Sequence, residues 1–334
     1  MKLEDIIKEL TDCVSIGHID GAREIIGRYL AFCDIKNCGS NGILASLDFG
    51  KESTLLLDAH IDEIGMTVTH ISDTGFLTIS NAGGIDLKQL PSREVIIHGK
   101  KDVSGIFIST PPHLSKDDKK LSDIKEIKID TGLGDKAKDI ISVGDFVTYK
   151  NEFLKLGDKR ICAKALDNRA SCAMLIYLAQ RLKDKELPVN LILLFSDGEE
   201  LGLRGARTAV YPLNVSQAVV TDVSFGNAPD VPSDKSGKLG FGAMIGISPI
   251  LNKTITEKLI SIAKENNIPY QSEIMGGTTG TNADVITLTK SGIKTGLVSI
   301  PLRNMHTDCE IIDLTDIENT ASLLESYIMS GGIN

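Results

Sequence analysis

Apolar and polar positions change their period three times along the chain. Residues about 3–12 and 20–33 place apolar side chains every three to four positions, which predicts two amphipathic helices. The short apolar runs ILASLDF and TLLLDAH that follow predict strands. From about Met66 to Arg160 the pattern breaks into brief β-like runs (GMTVTHI, FLTIS, EVIIHG, VSGIFI, EIKID and DFVTYK) separated by Gly, Asp, Pro and Ser, with one helix candidate near GDKAKDII. Such a stretch predicts a small β-rich domain or barrel. The α/β rhythm then returns with a long helix from Asn168 to Lys185, the buried strand VNLILLFS, a helix after Leu203 and the strand QAVVTDV. A helix near 252–267, the strand IKTGLVSI and a closing helix from about Thr315 complete it. The expected organisation is an α/β domain made of residues 1–66 and 161–334, interrupted by a β-rich insertion at 67–160.

Length supports the division, because 334 residues exceed what one compact core usually organises. A hydrophobic fraction of 42% with 24% charged residues describes a folded protein rather than a disordered one. The net charge of −9 leaves no basic surface for a polyphosphate, so nucleic acid is not an expected partner. The opening MKLEDIIKEL threads acids and lysines through its apolar positions, unlike a signal-peptide core or a membrane span. A cytoplasmic protein without membrane contact is expected. The six cysteines (Cys13, Cys33, Cys38, Cys162, Cys172 and Cys309) form no CxxC pair and read as reduced thiols, with Cys172 a small buried hydrophobe.

Chemistry enters where apolar strands run straight into acids and histidines, since reactive groups collect at strand ends in α/β folds. LLLDAHID ends in His60 and Asp62, and ICAKALDNR sets Asp167 at a helix start. LILLFSDGEELG ends in Glu199 and Glu200, AVVTDV in Asp222, and His306 follows the strand GLVSI. Taken singly, a strand-end Asp is commonly a helix cap, and an adjacent Glu pair is commonly the acidic first turn of a solvated helix. Together they form a hard and borderline ligand set that suits zinc, cobalt or manganese, whereas structural zinc would need cysteine spacing that this chain lacks. Alternate residues of an extended chain point the same way, so Asp62 is placed to orient the His60 imidazole. His18, His70, His98 and His113 lack carboxylate-rich surroundings and read as structural, Glu63 as a packing or hydrogen-bonding residue, and Ser15 to Asp20 as the start of a helix.

The segments AHIDEIGM, AKALDNRASCA, GEELGLRGA, TDVSF and GLVSIPLRNMHT, with PPHLS in the insertion, resemble the M42 family of metallo-aminopeptidases, the glutamyl and tetrahedral aminopeptidase group. The resemblance implies a di-metal exopeptidase fold, in which helices flank a central mixed sheet and a small inserted β-barrel-like domain supports dimerisation. It implies two divalent ions bridged by Asp167, with His60 and Asp222 completing one site and Glu200 and His306 the other. Glu199 would be the general base, Asp62 would assist catalysis, and the Asp167–Asn168 peptide bond would be cis. The implied substrates are peptides with a free amino terminus, and the implied assembly is a homo-oligomer of dimers up to a dodecamer. Deacylation of N-acyl amino acids, an endoglucanase activity and a non-catalytic scaffold are the rival readings of the same fold. Three positions depart from the family pattern: Gly198 stands where relatives often carry Gln, Asn282 where an acid is usual near the substrate pocket, and GFGAMIG where Lys-Gly-Pro is usual.

Overall fold

The computed structural model describes residues 2–109, 113, 124 and 126–333, so PPHLS lies outside the described residues except for His113. The chain opens with α1 (Leu3–Asp12) and α2 (Asp20–Tyr29), followed by β1 (Asp34–Cys38), β2 (Gly42–Leu47) and β3 (Thr54–His60). Next come β4 (Gly65–Ile71), β5 (Leu77–Ala82), β6 (Glu94–His98), β7 (Asp102–Ile108), β8 (Lys128–Asp130), the single-turn α3 (Ala137–Ile140) and β9 (Phe146–Tyr149). After β10 (Leu154–Leu156) and β11 (Arg160–Ala163) the chain forms α4 (Leu166–Leu182), β12 (Asn190–Ser196), α5 (Arg204–Val210) and β13 (Gln217–Phe225). It closes with β14 (Ala243–Ile247), α6 (Lys253–Glu265), β15 (Tyr270–Ile274), α7 (Ala283–Ile286), β16 (Lys294–Leu302), β17 (Glu310–Asp313) and α8 (Leu314–Met329).

Eight strands form one mixed sheet in the order β1-β2-β12-β3-β13-β16-β14-β15. Its centre, β12-β3-β13-β16, is parallel, so these strands end along one edge. They are nearly all buried, as strands covered on both faces must be, and this is why they read as continuous apolar runs. Alternation divides their side chains: Leu55 and Leu57 pack with α1, α4, α6 and α8, while Leu56 packs with α5 and α7 on the opposite face. Each such fully buried leucine contributes about 1.5–3 kcal/mol of hydrophobic stabilisation.

Strands β4 to β9 close into a six-stranded barrel in the order β4-β5-β8-β7-β6-β9, with a core of its own that includes Met66, Val68, Ile97, Phe107 and Val147. Strands β10, β11 and β17 make a separate three-stranded sheet. That small sheet carries the chain into α4 at one end and receives it from β16 at the other, so residues distant in sequence meet beside the parallel edge.

Two predicted helices differ in their bounds from expectation. The second helix stops at Tyr29 rather than continuing to residue 33, because the chain turns there (Cys33 N donates to Leu30 O at 2.8 Å) and enters β1. The long helix runs from Leu166 to Leu182 rather than from Asn168 to Lys185, with Asp167 (φ −80°, ψ 101°) and Asn168 (φ −120°, ψ 37°) interrupting its first turn; the peptide bond between them is cis, as expected.

Candidate active site

His60 ends β3, Asp222 lies near the end of β13, and Glu199 and Glu200 follow β12, all at the carboxyl edge of the parallel strands. Asp167 arrives from β11 and His306 from the loop between β16 and β17. Three contacts seat the start of α4 on this edge: Asn168 Nδ2 donates to Thr221 O at 3.0 Å, Ser171 Oγ to Asp222 O at 3.2 Å and Cys172 Sγ to His60 O at 3.1 Å. Burial pushes the Cys172 thiol up to about 12, which suits an inert packing residue.

Asp167 stands between two imidazoles. Its Oδ1 is 3.1 Å from His60 Nε2 and its Oδ2 is 3.4 Å from His306 Nε2. Asp222 Oδ1 lies 3.6 Å from His60 Nε2 on one side, and Glu200 Oε1 lies 3.2 Å from His306 Nε2 on the other. The donor atoms thus fall into the groups His60, Asp167, Asp222 and Asp167, Glu200, His306, each spanning no more than 4.8 Å, and a third grouping of His60, Glu199 and Glu200 overlaps them. The five nominated metal ligands and Glu199 are in this cluster, and Asp62 stands beside it.

Its electrostatics are those of a cation site. Burial pushes Asp222 and Glu200 up and Glu199 up to about 7, with the neighbouring carboxylates adding to the Glu199 shift. Burial opposes charge on both imidazoles, yet the surrounding carboxylates raise His60 well above its ordinary value and His306 to about 11. Burial likewise opposes charge on Asp167, but the two imidazoles hold its carboxyl far below the usual range. Four carboxylates and two imidazoles converge, and among the described residues no lysine or arginine pairs with Asp167, Asp222, Glu199 or Glu200. Divalent cations of the zinc, cobalt or manganese kind fit that donor set, because they neutralise the buried negative charge and take nitrogen and oxygen ligands.

The surrounding residues hold this arrangement. Asp62 accepts the backbone N–H of Glu199 and of Glu200, each at 3.1 Å, so one carboxylate fixes the turn bearing the glutamate pair. The same Oδ1 faces His60 Nδ1 at 3.4 Å, but that nitrogen makes no well-formed hydrogen bond. Glu310, which sequence reasoning missed, is buried and accepts from Asp167 N at 2.9 Å and His306 N at 2.7 Å. It clamps both halves of the site through backbone, and its only signal in the sequence is an acid four residues after His306. Gly84, in the loop after β5, was also missed. A Cβ there would lie 2.8 Å from His306 Nδ1, so the barrel packs directly on this imidazole.

Glu63 turns away from the cluster and lies buried with Lys164 and Arg169. It bonds Lys164 Nζ, accepts Ser15 N at 3.0 Å and stands 3.6 Å from Arg169 Nη2. Glu63→Ala should lower unfolding free energy by about 3–5 kcal/mol, because it strands two buried cations. Urea denaturation checks this, and a loss below about 1 kcal/mol would mean that the cluster is solvated and contributes as a surface pair does.

The departures from the family pattern find local reasons. Gly198 has a φ of +70°, in the region that glycine adopts without strain. Asn282 is buried behind the cavity wall, where its Nδ2 donates to Asp58 Oδ2 and Ser196 Oγ, both at 2.9 Å; an acid there would face Asp58 directly. In GFGAMIG, Gly240 N and Gly242 N donate to the Asp316 carboxylate at 2.7 and 2.6 Å, and a Cβ on Gly242 would come within 2.0 Å of Pro269 O.

The cluster opens into a cavity of about 730 Å³ lined in part by Phe225, Met244, Met275 and Met305. Among the described residues no helix is long and apolar enough to cross a membrane.

Comparison with known proteins agrees with this geometry. The chain is 29% identical over 286 residues to a lysyl aminopeptidase of Pyrococcus furiosus, covering 84% of this chain and 82% of the relative. It is 26% identical to a glutamyl aminopeptidase of Lactococcus lactis, covering 99% and 97%. Among solved structures it is similar to the TET1 peptidase of Pyrococcus horikoshii, which assembles into a tetrahedron or a large octahedral shell, with a TM-score of 0.87, 31% identity and coverage of 98% and 99%. A sequence model described as M42 glutamyl aminopeptidase matches residues 42–323, and the chain therefore belongs to the M42 family, metal-dependent aminopeptidases that hydrolyse peptides.

Proposed function

We propose that this chain removes the amino-terminal residue of peptides with two divalent metal ions and Glu199 as general base. The observation that carries the reading is the position of Asp167, whose two oxygens face different imidazoles, each accompanied by a further carboxylate. Asp167 would bridge the ions, His60 and Asp222 would hold one, and Glu200 and His306 the other. Ions held there supply Lewis-acid polarisation of the scissile carbonyl and acidify the attacking water.

The chain's own groups do the rest. Asp62 and Glu310 hold the ligand loops through backbone hydrogen bonds, so the ligands need little reorganisation during reaction. Glu199 lines the cavity beside the metal ligands with its carboxylate in a desolvated setting, suited to taking a proton from water and returning it to the departing amine. The apolar cavity wall receives the substrate and limits bulk water.

Peptides with a free amino terminus should be shortened by one residue at a time, with activity lost to a chelator and restored by zinc, cobalt or manganese. Equal cleavage of N-acetylated peptides would point to a deacylase or endopeptidase, and activity that survives chelation would reject the metal-dependent reading.

The proposal extends to assembly. The TET1 relative forms closed shells, and the separate core of the barrel supports a role for it as a dimerisation module. Sedimentation should return a mass several times the 36.0 kDa of one chain; a monomer would reject the assembly.

A further inference from the structure

One carboxylate in the wall of the cavity that receives the substrate has no role in the reaction described so far. Ser224 follows Asp222 by two residues on β13, so their side chains project to the same face about 7 Å apart along the strand. There Ser224 Oγ donates to Glu273 Oε1, and Ser299 Oγ, from the β16 residue paired with Asp222, donates to Glu273 Oε2 at 2.7 Å. Glu273 comes from β15 and lines the cavity with its carboxylate partly buried. Among the described residues no cation pairs with it, and only the two serine hydroxyls counter the effect of burial.

A carboxylate offers about four acceptor positions, and the serines use two. Leaving a desolvated carboxylate without a counter-charge is costly, which favours an incoming cation. The neighbouring walls are apolar, with Met244, Met275 and Phe225 facing the same space. A greasy channel ending in an acid matches a side chain with an aliphatic stem and a cationic tip. Lys235 also lines the cavity, but it is exposed on the connection between β13 and β14, where solvent screens its charge.

We propose that Glu273 sets the side-chain preference of this peptidase by receiving the ammonium or guanidinium of an amino-terminal lysine or arginine. The proposal rests on the aminopeptidase reading, which presents that residue's side chain to this wall of the cavity while its carbonyl lies at the metal ligands. The spacing from Asp222 to Ser224 is one that the four-carbon stem of lysine can span.

The test compares coumarylamide substrates of lysine, arginine, norleucine, leucine and glutamate on the metal-loaded enzyme. Norleucine keeps the four carbons of the lysine stem without its charge. In the wild type, kcat/KM for lysine should exceed that for norleucine by about ten- to hundredfold, the range for a hydrogen-bonded charged contact. In Glu273→Gln the ratio of lysine to norleucine should fall toward unity. Free L-lysine should inhibit the wild type more strongly than L-norleucine, and the variant should lose this difference. Equal wild-type rates for lysine and norleucine would overturn the proposal, and so would a variant that slows both substrates alike. If the variant fails to fold, the wild-type ratio and the inhibition pair still decide. Release of none of these residues would instead sink the aminopeptidase reading itself, whereas norleucine release without a lysine advantage sinks only the role of Glu273.

Discussion

Glu199→Gln should reduce kcat by about 10²–10⁴-fold, the range by which positioned general bases accelerate proton transfer, and should leave the metal content unchanged. The substitution keeps the shape of the side chain and removes only its ability to take a proton. It does not touch the tether of this turn, because Asp62 holds Glu199 and Glu200 through their backbone N–H groups. The proposed ligands His306 and Glu200 face each other independently of the Glu199 carboxylate. Elemental analysis beside steady-state kinetics reads both halves of the expectation. Full turnover in the variant would remove Glu199 from the mechanism, and loss of metal together with activity would make it a ligand, as its proximity to His60 and Glu200 permits.

Asp167→Ala should have the broadest effect on the metals themselves. A single carboxylate faces both halves of the cluster, so its loss weakens two sites at once and leaves His60 and His306 each with one fewer anionic neighbour. Affinity should fall by more than the roughly 10–100-fold typical when a hydrogen-bonding neighbour of a ligand is removed, and peptide hydrolysis should drop below detection. Calorimetric titration of metal-free protein distinguishes the outcomes. Two sites of undiminished affinity would contradict the bridging role, whereas one retained site would assign Asp167 to a single ion.

Much of this was legible in the sequence, for physical reasons. The parallel strands are buried on both faces, so TLLLDAH and VNLILLFS stand out as apolar runs, and their ends deliver His60 and the glutamate pair. The barrel region announced itself through short strands broken by turn residues. What escaped was short, at an edge, or dependent on backbone. Strands β1, β10, β14, β15 and β17, of three to five residues each, were not named from the sequence. Glu310 acts by accepting two main-chain N–H groups, which no ligand spacing encodes. Gly84 matters because it has no side chain. Asp62 was expected to orient His60, but its clear hydrogen bonds go to the glutamate turn, a partner 137 positions away. Asn282 reads as a lost charge until Asp58 is seen beside it.

The contact between Gly84 and the His306 ring ties the insertion to the chemistry with no slack between them. Whatever steadies the barrel therefore also steadies the His306 ring, and whatever tilts it displaces that ring. A substitution that tilts the barrel, with every candidate reactive group left in place, is therefore expected to register at that imidazole.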